Sequence, residues 1–402
     1  MTTAGWFGAI PERWDAVPLY GIASERKIPN KGLSETNLLS LSYGRIVRKD
    51  IETNEGLLPA SFETYQIVRP DDIVLRMTDL QNDQRSLRSA LVRETGIITS
   101  AYLALALRNV DPRFMAYQFR AIDLMKVFYS MGGGLRQSIG FSDLKRLPVL
   151  TPPVEEQRAI ADYLDRETAQ IDAFIAKNEE LITLLNERRA AAVNAPFARE
   201  EPNARLSHAC EAVVDCPHTT PEVDDDGDFE AVRTASVRAG VYVPGQGLTV
   251  SEATWRSRNG SLGPRRGDVL FTREAPAGEA CMVPSAEICL GQRMVLLRID
   301  SAKADGQFLL WQLYSREVQS YFELAANGST VTNIRLPLLR SAPIWLPSLE
   351  EQRRVSDAVG EQVAAIDNAI GIARRGIALA RDRRAALISA AVTGKIDVGV
   401  AV

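Results

Sequence analysis

The sequence predicts an α+β fold: two mixed α/β globular domains separated by two long coiled-coil helices, with an internal pseudo-twofold repeat. Three observations lead there. A stretch beginning at Pro152 returns at Pro347 without a gap, at a period of 195 and with about sixteen of forty-two positions identical, among them Glu155-Glu156-Gln157-Arg158 on Glu350-Glu351-Gln352-Arg353. Both copies carry apolar residues at alternating spacings of three and four, the mark of a helical seam. The regions ahead of each copy break instead into short apolar runs bounded by turn residues.

At 402 residues the chain has room for two or three domains, and 46% hydrophobic with 24% charged residues is the composition of a globular protein with real cores. The repeat divides it into a first domain over 1–151, a helix over 152–198, a second domain over 199–346, and a second helix with its tail over 347–402. The first twenty residues carry Pro, Glu and Arg where a signal peptide needs an unbroken apolar run. No later run approaches the roughly 18 apolar residues of a membrane span, so a cytoplasmic protein without membrane contact is expected. Four cysteines are too few for a disulfide scaffold, and reduced thiols are expected.

Taking the elements in order, the first domain offers strands around Ile73-Val74-Leu75 and Gly96-Ile97-Ile98, a helical stretch over 112–128, and a turn at Gly132, Gly133 and Gly134. That turn lacks the strand-to-helix setting of a phosphate loop. The first long helix follows, opened by Pro152-Pro153, which suit a first turn, with Glu155 and Glu156 near the positive end of its dipole. Its seam reads Leu164, Ile171, Ile175, Ile182, Leu185, with Asn178 as a polar interruption that either fixes register or sits in a loosely packed, solvated stretch. The second domain repeats the pattern with Asp268-Val269-Leu270-Phe271, Met294-Val295-Leu296-Leu297 and a helical stretch over 306–324. The second long helix opens on a capping box, Ser348 with Glu351, and its seam reads Val359, Val363, Ile366, Ile370, Ala373, Ile377, Ala380. Matching seams of equal length lead us to expect the helices to pack on each other, the alternative being that each lies on its own domain. Forty residues make a rod of about 60 Å. Gly360, Gly371 and Gly376 each weaken the second helix by about 1 kcal/mol relative to Ala, which close approach of a partner would offset.

Enzyme motifs are missing. There is no GxxxxGK[ST] loop, no Asn/Asp-Pro-Pro-aromatic motif and no GxGxxG after a strand. His208 and His218 lie near Cys210 and Cys216, but C-x5-C and C-x7-C miss the usual zinc-knuckle spacing, and Cys216 has no visible oriented partner for nucleophilic chemistry. No metal is expected. The net charge of -4 excludes a bulk basic surface, so a polyanion would have to meet local arginines or another subunit. Local groups of that kind exist: Arg76, Thr78, Gln81, Asn82, Arg85 and Arg88 (with Arg93) in the first domain, and Arg256, Arg258, Arg265, Arg266, Thr272 and Arg273 in the second. Asn, Gln and Arg are the side chains that read base edges, though such loops are also commonly just solvated.

Two variable halves, each followed by a near-identical PxxEEQR helix, resemble the specificity subunit of a type I restriction-modification system. LLSLSYGRI from Leu38, TDLQNDQRSLR from Thr78, DCPHTTP from Asp215, LFTREAPAG from Leu270 and LGQRM from Leu290 add to the resemblance, which covers essentially the whole chain. It implies two target recognition domains, each reading one half of a bipartite, asymmetric double-stranded DNA target. It also implies that the helices run antiparallel as a spacer and dock two methyltransferase subunits, and through them restriction subunits. The chain itself is then no enzyme and holds no cofactor; S-adenosylmethionine, ATP and Mg belong to the partners. The rival reading is a coiled-coil scaffold or adaptor that holds two protein partners and never touches DNA, with a thiol or zinc enzyme a distant third.

Overall fold

The computed structural model describes residues 6–51, 61–80, 83, 87–131, 138–326 and 333–398. It forms two compact units, Met1–Asn178 with Arg375–Val402 and Glu179–Arg374. The sequence-predicted helices run over Val154–Asn194 and Leu349–Val392, and each passes from one unit into the other.

In the first unit a four-stranded antiparallel sheet has the order Ala23–Glu25, Leu103–Leu107, Ile73–Leu75, Ser89–Leu91. Its register sets Ile73 against Leu105 and Leu91. Beside it, Gly96–Ile98 pairs with Gln66–Val68, and Leu39–Ser42 forms a hairpin with Arg45–Arg48. The strand Asp15–Pro18 pairs with Pro148–Thr151, which leads directly into the first long helix. Ile73, Leu75, Phe114, Phe119 and Leu150 form a core that also takes in Ile160, Ala161 and Leu164 from the start of that helix and Ile388, Ala391 and Val392 from the end of the other. The start of one helix beside the end of the other makes them antiparallel here.

The second unit repeats the plan. Its four-stranded sheet has the order Cys210–Asp215, Met294–Ile299, Val269–Thr272, Ala280–Met282, and Ala204–Arg205 pairs with Pro343–Ile344 ahead of the second helix. A three-stranded sheet sets Phe229–Val232 between Leu248–Val250 and a parallel Ile288–Leu290. Val193 and Phe197 share its main core with Phe271, Phe308, Val355, Val359 and Val363.

Two helical stretches are shorter than the sequence suggests. The first ends at Leu124; Lys126 then takes a left-handed conformation (φ 59°) before a 3-10 turn over Val127–Ser130. The second is two helices, Gly306–Leu313 and Arg316–Ala326, because buried Ser315 starts a new helix with its Oγ accepting the Val318 N–H. Along the seams Leu164, Ile171, Val363, Ile366, Ile370 and Ile377 are buried, while Ile175, Ile182 and Leu185 are half-buried. The Asn178 amide donates to the Phe174 carbonyl one turn back at 2.9 Å. Of the helix glycines, Gly360 has nothing within 4 Å of where a Cβ would lie, whereas Gly376 faces the Phe174 ring at 3.5 Å. Among the described residues no helix is long and apolar enough to cross a membrane.

Candidate nucleic-acid interface

Each unit presents loops from a strand that begins on a buried aspartate. Asp72 and Asp268 accept the backbone N–H three residues back, of Arg69 (2.8 Å) and Arg265 (3.0 Å). Each is paired with a buried or half-buried arginine, Arg26 and Arg298 respectively. This fixes the turn into Ile73–Leu75 and into Val269–Thr272, and therefore where the loops after those strands emerge.

In the first unit the loop after Ile73–Leu75 is organised around Arg88, which is wholly buried. Its guanidinium donates to the carbonyls of Arg76 (3.2 Å), Thr78 (2.8 Å), Asp79 (3.3 Å) and Asp83, and to Tyr129 Oη (3.0 Å). Its N–H is held by Asp123, whose carboxyl burial pushes up. Arg88 thus holds the loop from within instead of reaching out of it, because its donors are all engaged by backbone and phenol oxygens. Arg76 and Thr78 are half-exposed on the loop. Gln81, Asn82 and Arg85 lie outside the described residues, as do Gly132, Gly133 and Gly134.

In the second unit, three sequence motifs meet at one surface. Arg273 donates from Nη1 to both carboxylate oxygens of Asp215 (2.9 Å each), joining the segments that begin at Leu270 and Asp215. Arg258, on the helix Glu252–Asn259, donates to the carbonyls of Leu290 (2.8 Å), Thr219 (3.2 Å) and Pro217 (3.3 Å). Thr272 is buried, with its hydroxyl bonded to Pro276 O (2.7 Å) and the Glu279 N–H (3.0 Å). These three side chains are the frame of the surface, since each is tied into hydrogen bonds across it. What the frame exposes is His218, Thr219, Thr220, Gln292 and Arg293. Arg293 is held at φ 66°, a left-handed conformation that costs a non-glycine residue energy and is concentrated at functional sites. Gln292 and Arg293 lie in a motif that the sequence marks, LGQRM, yet spacing alone gives no reason to select them. Arg256 is exposed and paired with Glu252 (2.6 Å). Arg265 and Arg266 are exposed on the turn held by Asp268, with no carboxylate partner among the described residues.

The cysteines are free, and Cys216, Cys281 and Cys289 are buried. Burial pushes the thiols of Cys210 and Cys281 up to about 12 and that of Cys289 to about 11, the reverse of what an activated nucleophile needs. Among the described residues no group of three or more His, Cys, Asp or Glu side chains is arranged to hold a metal.

No family model matches the chain. It is 22% identical over 424 aligned residues, covering 97% of this chain and 95% of the relative, to a Methanocaldococcus jannaschii chain named as the type I restriction enzyme MjaX specificity subunit. It is 23% identical to the type I restriction enzyme MjaVIII specificity subunit of the same organism, over 83% of this chain and 80% of that one. In structure it is similar, with a TM-score of 0.73 at 17% identity, to a chain solved in work on assembly and conformational transition of the type I R-M system, over 96% of this chain and all of that one. Along nearly its whole length the chain is thus similar in sequence to specificity subunits of type I restriction enzymes, and in fold to a chain of a type I R-M system.

Proposed function

We propose that the chain reads double-stranded DNA at an asymmetric, bipartite target, one half-site per unit. It would do so without catalysing a reaction. The observation that carries this reading is the pairing of one plan with two surfaces: both units hold the same strand order and the same aspartate-anchored turn, yet expose different side chains beyond it. Two like scaffolds with unlike polar tips are what two half-sites of different sequence require. Absence of a strong overall positive charge fits a protein that is joined on DNA by partners supplying phosphate contacts.

The partners in this reading are two methyltransferase subunits and, where the system cleaves, restriction subunits, which bring S-adenosylmethionine, ATP and Mg. Large apolar side chains stay exposed on both long helices, Phe174, Leu181 and Leu184 on the first and Ile372 and Leu379 on the second. Such groups suit helix-to-helix docking. The test is a gel shift and footprint on a mixed-sequence duplex pool, with and without the methyltransferase subunits. Selection of one sequence with two separated conserved blocks is expected. Assembly with both partners but no sequence selection would support the scaffold reading instead.

A further inference from the structure

A cleft of about 710 Å³ opens in the first unit between the hairpin Leu39–Ser42/Arg45–Arg48, the helix Pro112–Leu124 and the two long helices. Its charges do not balance. Asp172 accepts from Arg45 at 3.0 Å and faces Arg384 at 3.3 Å. Arg120, beside them, donates to the carbonyls of Gly44 and Ser89 at 2.7 Å each and, among the described residues, forms no ion pair, though the Asp123 charge acts on it. Two guanidinium groups therefore share the Asp172 carboxylate, with that of Arg120 beside them. The Nε donors of Arg120 and Arg384 are buried without an acceptor among the described residues. Burial, with the Arg384 and Arg45 charges, pulls the Arg120 guanidinium down to about 10. Other carboxylates on the cleft are engaged: Arg113 pairs with Asp162 (2.7 Å) and Asp165 (3.0 Å), Arg48 pairs with Glu94, and the Tyr117 hydroxyl donates to Asp165.

The arrangement is built, and the chain contains its own control. Gly44 (φ 75°) lies so close under Arg120 that a Cβ there would collide with the guanidinium. The repeat puts Arg189 and Asp367 at the places of Arg384 and Asp172, and they pair at 2.9 Å in the second unit. The place of Arg120 is taken there by Tyr314, whose hydroxyl receives the Gly240 N–H (2.8 Å) and donates to Glu279 (2.8 Å). One unit thus closes this corner with a neutral phenol and a carboxylate, while the other lines it with three guanidinium groups.

We propose that the cleft binds a phosphomonoester, with its dianionic phosphoryl group held by Arg45, Arg120 and Arg384. A phosphomonoester near neutral pH carries about −1.5 to −2 and three acceptor oxygens, and guanidinium forks suit those oxygens. A carboxylate offers only two oxygens to the three guanidinium groups. Ile46, Leu91 and Ile388 give the cleft an apolar wall with room for more than the phosphoryl group. The inference does not depend on the DNA-reading proposal.

The test is calorimetric titration of the full chain with inorganic phosphate and with AMP, at ionic strength fixed with chloride. Saturable binding is expected, weakened at least tenfold by Arg45→Ala, whose side chain is exposed and whose loss should spare folding, and by Arg384→Ala. Arg354→Ala on the second helix should leave it unchanged. AMP binding tenfold tighter than phosphate identifies a nucleotide site, and equal affinities identify recognition of the phosphoryl group alone. No binding of either, binding that survives both substitutions, or binding only of a duplex lacking terminal phosphates overturns the proposal.

Discussion

The side-chain oxygen of Gln157 accepts the backbone N–H of Asp111 at 2.8 Å. Asp111 in turn caps the helix Pro112–Leu124, accepting the N–H groups of Arg113 and Phe114. The Gln157 amide also donates to Pro152 O at 2.8 Å, so one buried side chain ties the start of a long helix to the start of a domain helix. The repeat reproduces this: Gln352 accepts from Asp305 N at 2.9 Å and donates to Pro347 O at 2.8 Å, and Asp305 caps Gly306–Leu313. The glutamine of the repeated PxxEEQR motif is therefore a joint between each long helix and its domain.

Replacing Gln157 or Gln352 by Leu leaves a partly buried N–H without its acceptor and should cost about 1–3 kcal/mol each. Hydrogen exchange locates the loss. The Asp111 amide should lose protection in Gln157→Leu and the Asp305 amide in Gln352→Leu, with no crossover. Full protection in both variants would remove the joint.

Arg88→Met should destabilise the first unit by about 3–5 kcal/mol, because four backbone carbonyls lose a buried charged donor. Arg265→Ala, on an exposed turn, should change stability by less than about 0.5 kcal/mol. Denaturant titration separates the two. A neutral Arg88→Met would contradict the loop-anchoring role.

Much of this architecture is legible in the sequence, and the reason is periodicity. The repeat and seams place the starts of both long helices two residues ahead of Val154 and Leu349, though the first helix ends at Asn194, short of 198, and Leu164, Ile171, Val363, Ile366 and Ile370 must face inward whatever the helix packs on. The strands around Ile73, Val269 and Met294 are equally plain as apolar runs between turn residues. Side-chain roles in the loops are not, because Arg88, Arg258 and Arg273 have the composition of base readers and differ from Arg265 and Arg266 in burial, which depends on tertiary contacts. The same holds for Gln292 and Arg293, exposed by a frame whose parts are distant in sequence. The break at Ser315 escapes a pattern reading because the apolar spacing runs through it.

The buried thiols set a pH dependence. A thiol raised in the folded state stabilises the fold fully below its unfolded value of about 8.5, and that contribution is lost as pH rises through the folded value. Burial pushes Cys281 to about 12 and Cys289 to about 11, so stability should fall progressively between about pH 9 and 12. Replacing both by Ala should flatten the slope. At pH 8, iodoacetamide should label these residues far more slowly in the folded than in the unfolded protein, as followed by mass spectrometry. Fast labelling of the folded chain would mean an accessible thiolate.

Gln292→Ala and Arg293→Ala should relax recognition in the second half-site alone, by about 1–3 kcal/mol for a side chain that grips a base. Competition binding against duplexes altered one position at a time reads the change. Loss spread evenly over both half-sites would instead mark a contact to the DNA backbone.

The central claim, that each unit reads its own half of the target, is tested most directly by mapping methylation in cells that carry the methyltransferase partners and a chain whose residues 1–151 are exchanged for those of a relative. One half-site should change, while the other half-site and the gap stay as they were. A change in both half-sites, or in neither, would contradict it.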